Sequence, residues 1–270
     1  MKIRVISAVV IAAVLLIMLL MGDYVMAGIL LVLSLIAYTE VNTACGISQE
    51  KGFNLIGITG NLGICVYYYF LMRRQDLSMI APVLMGTFFV MLIIYVLRYP
   101  RYHIGVVFIT LFSMLYAPVM LSFLYLIRTM EHGVFFSWLP FVAWVTDSCA
   151  YLTGVKFGKR KLAPKLSPKK SIEGALGGIA GSAVAGLIYG TIASVKGFVD
   201  HRYGLAFVVI AVVASILSQV GDLIASGIKR DHNIKDYGTL IPGHGGIMDR
   251  FDSVIFITPV VYFMLLYFIK

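Results

Sequence analysis

The sequence predicts an all-α, polytopic integral membrane protein with about nine transmembrane helices and its chemically loaded loops on the cytoplasmic side. Three observations lead there. Hydrophobic residues make up 60% of the 270 positions and charged residues only 13%, a balance far outside that of soluble globular chains. The apolar runs are long and continuous and do not alternate, which selects helices over barrel strands. The polar residues are gathered into short stretches between those runs, the densest being Ser226 to Ser253.

A helix needs about 20 apolar residues to cross the hydrocarbon core. Nine such spans are expected at about 4–21, 24–42, 53–72, 77–97, 104–127, 134–154, 174–194, 204–227 and 253–269. An odd number places the termini on opposite sides. With the N-terminus in the cytoplasm most Lys and Arg residues fall in cytoplasmic loops, so the positive-inside rule puts both basic loops, 155–173 and 228–252, on the side where nucleotides are found. The net charge of +9 is therefore read as a solvated juxtamembrane face, or as attraction to anionic lipid, and not as a nucleic-acid surface.

Lys2 and Arg4 precede an apolar run, and Val25-Met26-Ala27 could pass as a signal cleavage site. The run from Val5 to Met21 is longer than a usual signal core, so a first transmembrane helix is expected instead. Cys45, Cys65 and Cys149 are far apart with no CxxC spacing and are expected to be buried, reduced thiols.

The first half of the chain offers little chemistry. Glu40 stands near a span end, and the aromatic residues of Tyr67 to Phe70 and Tyr95 to Tyr102 read as interface belts and packing. The second half differs. Asp147 lies inside an apolar span, where an ionisable residue costs several kcal/mol unless it meets protein, water or a metal; a hydrogen bond to a neighbouring helix is the plainer alternative. Residues 156–170 form a basic stretch broken by Pro164 and Pro168, with Ser167-Pro168 as a turn signal and the lysines displayed on loop backbone. A helix is expected to begin on Ser171 with Glu173 in its first turn, and a helix start beside Lys169 and Lys170 is a natural anion site. Gly154 to Lys159 lacks the spacing of a nucleotide-binding P-loop, and Arg160 stands where a magnesium-binding hydroxyl would be.

Gly174, Gly178, Ser182, Gly186 and Gly190 recur every four residues, a small-residue ridge that allows close helix packing in lipid, either within the chain or at the seam of a homodimer. Asp222, Ser226, Lys229 and Arg230 follow at i, i+4, i+7 and i+8, one face of a continued helix. After Pro242-Gly243 comes His244-Gly245-Gly246, where glycines let backbone N–H groups turn toward an anion. The last helix opens with Asp249, Arg250 and Asp252; carboxylates there can be simple dipole partners, but beside a glycine turn they read better as metal ligands.

These residues resemble a known family. Ser226-x-Ile228-Lys229-Arg230, then four residues, then Lys235-Asp236-x-Gly238-x-x-Ile241-Pro242-x-His244-Gly245-Gly246-Ile247-x-Asp249-Arg250-Phe251-Asp252 resembles the signature of the phosphatidate cytidylyltransferases, the CDP-diacylglycerol synthases. The likeness extends upstream through Asp147-x-x-Ala150-Tyr151-x-x-Gly154-x-x-Phe157-Gly158, Ser167-Pro168-Lys169-Lys170-Ser171-x-Glu173-Gly174 and Gly221-Asp222, with Ser171 and Ile172 in place of a commoner Thr and Trp. It covers the second half; the first matches only in its pattern of spans.

The resemblance implies a magnesium-dependent reaction of CTP with phosphatidate to give CDP-diacylglycerol and pyrophosphate. On that reading residues 1–130 form scaffold helices with lipid or dimer contacts, and residues 131–270 form the catalytic part. Asp222 and Asp249 would hold the metal, a second cation being allowed for, with Asp147 and Asp252 as supporting or alternate ligands. Lys229, Arg230, Lys235 and Arg250 would hold phosphates, and His244 with Gly245 and Gly246 the leaving pyrophosphate. Lys169, Lys170, Ser171 and Ser226 would bind the nucleotide or lipid phosphate. The partners expected are CTP, phosphatidate and the lipid bilayer of a prokaryotic plasma membrane, with no nucleic acid. Two alternatives are a CTP-dependent polyprenol kinase, against which the full signature argues, and a secondary transporter, whose inverted repeats are not seen. A CDP-alcohol phosphotransferase lacks support because its D-x-x-D-G-x-x-A-R pattern is absent.

Overall fold

A computed structural model describes residues 2–47, 54–200, 203–243 and 245–269, with residues 2–6 and 8 described in their backbone alone. The chain gathers into two compact units. One comprises Met1–Thr129 with Asp231–Phe251, the other Met130–Arg230 with Asp252–Lys270.

The helical membrane architecture is found. Seven helices among the described residues are long and apolar enough to cross a membrane, and a shorter apolar helix covers Val9–Leu20. The first unit contains α1 (Lys2–Leu20), α2 (Asp23–Ala44), α3 (Leu55–Arg74), α4 (Ile80–Leu97), α5 (Ile104–Met114) and α6 (Met120–Arg128). A π turn at Leu115–Val119 joins α5 to α6 and contains Pro118. The wider turn accommodates a residue that lacks an N–H and would break a regular α-helix.

In lipid the apolar effect does not hold helices together, so packing and hydrogen bonds between small and polar groups must. In the first unit Tyr68 hydroxyl meets Ser34 Oγ at 2.7 Å and Tyr67 hydroxyl meets Ser122 Oγ at 2.7 Å. The Tyr38 hydroxyl donates to the Gly57 carbonyl at 3.0 Å. Tyr67 and Tyr68 are therefore core residues and not belt residues, whereas Tyr69 beside them is exposed. Arg128 is paired with Asp23 at 3.2 Å, tying the end of α6 to the start of α2.

The second unit contains α7 (Gly133–Phe136), a 3-10 turn at Leu139–Phe141, α8 (Val142–Phe157), the strands β1 (Lys161–Ala163) and β2 (Ser167–Ser171), α9 (Ile172–Val195), α10 (Ala206–Asp231), and α11 (Met248–Phe268) from Asp252 onward. The expected sixth span, 134–154, is not one helix. Pro140 falls in the 3-10 turn, and the helix that carries Asp147 has 16 residues, too short for a straight crossing of about 30 Å.

The basic stretch is also more ordered than a loop. β1 and β2 pair antiparallel, with Lys161 opposite Ser171 and Ala163 opposite Ser167. The turn falls on residues 164–166 and Pro168 lies within β2, which a two-stranded hairpin tolerates because each strand has an unpaired edge.

The small-residue ridge of α9 is occupied within the chain. A Cβ on Gly178 would stand 2.9 Å from the Thr146 carbonyl of α8, and one on Gly186 would stand 2.6 Å from the Phe207 carbonyl of α10. Between them Thr146 Oγ1 and Ser182 Oγ are hydrogen-bonded at 2.7 Å. All three cysteines are free thiols; Cys65 is exposed, and Cys45 and Cys149 are half-buried instead of buried.

Candidate active site

In the second unit a cavity of about 570 Å³ is lined by Asp147 and Tyr151 of α8, Lys161 of β1, Lys169 and Lys170 of β2, Ser171, and Gln219 and Asp222 of α10. That volume is within the range of small-molecule sites. Each polar group is placed by a local device. The Ser171 hydroxyl accepts the Gly174 N–H at 3.1 Å, the expected cap at the start of α9. The Glu173 carboxylate turns back to accept the N–H groups of Lys159 at 3.0 Å and Arg160 at 3.2 Å. The Ile172 N–H donates to the Arg160 carbonyl at 2.9 Å, closing the base of the hairpin and aiming its lysines at the cavity.

Glycines bring these elements close. A Cβ on Gly158 would lie 2.7 Å from Ser171 Oγ and would overlap the Gly154 carbonyl, and one on Gly174 would lie 2.7 Å from the Ala150 carbonyl. On the other side a Cβ on Gly221 would meet Phe256 Cβ at 2.8 Å and the Asp252 carbonyl at 3.4 Å, so α10 and α11 cross beside Asp222. Asp222 is ion-paired with Lys170. Asp252 is buried; its carboxylate accepts the Ser253 N–H at 2.7 Å and feels the charges of Asp222, Lys229 and Asp147. Asp147, Lys169, Lys170, Ser171 and Asp222 thus share one cavity, with Asp252 within electrostatic range. Ser226 and Lys229 continue along α10 and are half-buried, while Arg230 is exposed.

The remaining candidates belong to the first unit. The turn after Ile241 is closed by a reciprocal pair: the Ile241 N–H donates to the Gly245 carbonyl at 2.8 Å and the Gly245 N–H to the Ile241 carbonyl at 3.1 Å. Gly243 and Gly245 have φ of 78° and 86°, the left-handed region that glycine enters without strain. His244 lies outside the described residues. The Asp249 carboxylate folds back over this turn, its Oδ2 accepting the Tyr237 N–H at 2.8 Å and the Gly246 N–H at 3.0 Å. Lys235 is exposed, Arg250 is half-buried, and Arg250 Nε is buried with no hydrogen-bond partner among the described residues.

One residue here was missed by the sequence reading. Glu40 is a buried residue, 8% exposed, and not part of an interface belt. Its carboxylate accepts the N–H groups of Ile247 at 3.0 Å and Met248 at 2.8 Å. The signal was available: an ionisable residue inside an apolar span is a functional candidate by default, and Glu40 met that rule as well as Asp147 did.

Among the described residues no group of three or more His, Cys, Asp or Glu side chains is gathered as a closed metal cage. Magnesium does not require one, since it is held by one or two carboxylates together with substrate phosphates. Asp222 offers a hard oxygen donor already facing a cation, the Lys170 ammonium, and this donor chemistry fits magnesium.

Acidic and basic groups thus surround one cavity in a helical scaffold with seven candidate membrane spans among the described residues, and comparison with known proteins identifies the class. The chain belongs to the cytidylyltransferase family, whose model matches residues 2–268. It is 33% identical over 279 residues to the phosphatidate cytidylyltransferase of Staphylococcus saprophyticus, covering 98% of this chain and 99% of that protein. It is 31% identical over 282 residues to the protein of the same name from Bacillus subtilis, covering 99% and 98%. The similarity therefore includes the first half, where the sequence reading found only a pattern of spans.

Proposed function

We propose that the chain transfers CMP from CTP to phosphatidate, giving CDP-diacylglycerol and pyrophosphate for phospholipid synthesis. The observation that carries this reading is the cavity in which Asp147, Asp222, Lys169, Lys170 and Ser171 converge, in a chain whose full-length relatives are phosphatidate cytidylyltransferases.

A phosphate oxygen of phosphatidate attacks the α-phosphorus of CTP. The new P–O bond forms as the bond from that phosphorus to the oxygen bridging toward the β-phosphorus breaks, and pyrophosphate departs with the electron pair. Phosphatidate is ionised at neutral pH, so no strong general base is needed. The protein must bring two anions together and stabilise the charge on the leaving group. Lys169 and Lys170, with the Ser171 hydroxyl, hold phosphate oxygens at the cavity. Lys229, Arg230, Lys235 and Arg250 supply further cations, the Nε of Arg250, without a hydrogen-bond partner among the described residues, being a ready donor. His244 and the Gly245-Gly246 turn attend the pyrophosphate. Asp222 and Asp249 would hold magnesium, with Asp147 and Asp252 in support and a second cation allowed for. Magnesium, when bound, neutralises phosphate charge and polarises the phosphorus centre.

The same reading places the site on the cytoplasmic face of a bacterial plasma membrane and leaves the N-terminal helices as its scaffold. The small-residue ridge of α9 packs within the chain against α8 and α10, so a homodimer would use another face.

The test is pyrophosphate release by the purified protein in detergent with phosphatidate, magnesium and each nucleoside triphosphate in turn. Release with CTP and lipid only, abolished by chelation and restored by magnesium, is expected. Asp249→Ala should fall below a few per cent of the parent rate; higher activity would remove Asp249 from the metal site. Release without lipid, or a monophosphorylated alcohol as product, would overturn the assignment.

A further inference from the structure

We infer that Glu40 is a positioning residue for the reaction: carried on α2, it sets the first turn of α11 and thereby the stance of Asp249. This rests on the reading of Asp249 given above, and the residues concerned all lie within the first unit.

The first N–H groups of a helix have no partner inside it. α11 begins at Met248, and the residue before it, Ile247, has no side-chain acceptor to offer. Glu40 supplies the acceptor from a distance of 207 residues in sequence, one oxygen to the Ile247 N–H and the other to the Met248 N–H. A carboxylate also suits the positive end of a helix dipole. The approach depends on two glycines of the polar stretch. A Cβ on Gly238 would stand 2.5 Å from Glu40 Oε1, and one on Gly246 would overlap the carboxyl group. These glycines have a physical reason in Glu40, apart from any role toward an anion.

The hydrogen bonds continue to Asp249, the next residue after the capped amides. Its Oδ2 holds the Gly246 and Tyr237 N–H groups, so Glu40 and Asp249 grip successive amides, 246 by one and 247 and 248 by the other. α1 adds a third hold, since the Ser7 hydroxyl donates to the Pro242 carbonyl at 3.0 Å. Loss of the Glu40 carboxylate would leave two buried amides without an acceptor, and the turn would reorient to satisfy them. Asp249 would move with it.

The experiment compares Glu40→Ala, Glu40→Gln and Asp249→Asn with the parent by two readouts. The first is amide hydrogen exchange of the metal-free protein in detergent. Exchange in peptides spanning 246–249 should rise at least about tenfold in Glu40→Ala, in line with loss of one hydrogen bond to a charged group, while peptides of α9 stay unchanged. The second is the magnesium midpoint for pyrophosphate release, which should rise roughly 10- to 100-fold in Glu40→Ala with the phosphatidate KM nearly unmoved. Glu40→Gln keeps one acceptor oxygen and should recover part of both effects; it carries the test if Glu40→Ala does not fold. Unchanged exchange would overturn the inference, as would raised exchange with an unmoved magnesium midpoint, the mark of a purely structural cap. Full activity in Asp249→Asn would instead overturn the reading of Asp249 and the functional half of the inference with it, leaving the exchange data to report on the cap alone.

Discussion

Lys170, near the end of β2, is ion-paired with Asp222 of α10, and the two side chains retain 25% and 28% exposure. The pair joins the hairpin to the helix across the cavity and leaves each charge partly desolvated. Lys170→Met would leave Asp222 without its counter-charge. The cost should be about 1–2 kcal/mol, below that of breaking a fully buried pair because water still screens the site. Thermal unfolding in detergent should register a drop of a few degrees, and pyrophosphate release should fall at least about tenfold, with Lys170→Arg intermediate. Unaltered stability would mean that solvent already screens the pair.

Glycines at the crossing of α8 and α9 should be intolerant of a methyl group. Gly174→Ala would push Cβ against the Ala150 carbonyl at 2.7 Å, a backbone atom that cannot swing away, and should destabilise the protein by about 1–3 kcal/mol. Gly86 of α4 has nothing within 4 Å of its added Cβ, so Gly86→Ala should be neutral or slightly stabilising. Equal unfolding midpoints for the two variants would contradict the close approach.

Ser171 has two duties that a pair of variants can separate. Ser171→Ala removes the cap from Gly174 N–H and should cost about 1 kcal/mol of stability, whereas Ser171→Thr keeps the hydroxyl and should be close to neutral. Ser171 also lines the cavity. Activity of Ser171→Ala should therefore fall further than the stability loss explains when compared at a temperature where both proteins are fully folded.

The Thr146–Ser182 hydrogen bond tests how much a polar contact contributes between α8 and α9. A double-mutant cycle of Thr146→Val and Ser182→Ala, read by unfolding in detergent, should give a coupling of about 0.6 kcal/mol and no more than about 1.7 kcal/mol. A larger value would mean that this bond, and not the fit of the glycines, dominates the crossing.

Much of this was legible in the sequence because membrane helices announce themselves by length and apolarity. Seven of the nine expected spans coincide with long apolar helices, and Ser171 caps its helix where the Ser-x-Glu spacing placed it. The sixth span is not one helix for a local reason: Val134 to Gly154 is mostly apolar apart from Asp147, but Pro140 diverts the backbone, and average hydropathy does not register a single residue. The hairpin was hidden by Pro164 and Pro168, read as breakers although the first lies in its turn and the second within an edge strand. Glu40 showed its charge near a span end but not its partners, which are backbone amides more than 200 residues away. Hydrogen bonds to the main chain leave no pattern in side-chain identity, so only the fold reveals them.

The division of the chain into units that are not contiguous in sequence bears on how far the protein can be treated as modular. Asp231–Phe251 belongs with the N-terminal helices, although the residues on both sides of it belong to the other unit. A chimaera that took its first 129 residues from an unrelated membrane protein with the same number and length of spans would keep the whole polar stretch. It would still lack Ser7 and Glu40, and the stretch would lose the partners that give it shape. Exchange of the N-terminal half is therefore expected to preserve activity only where the donor also places a carboxylate at the position of Glu40 on its second helix.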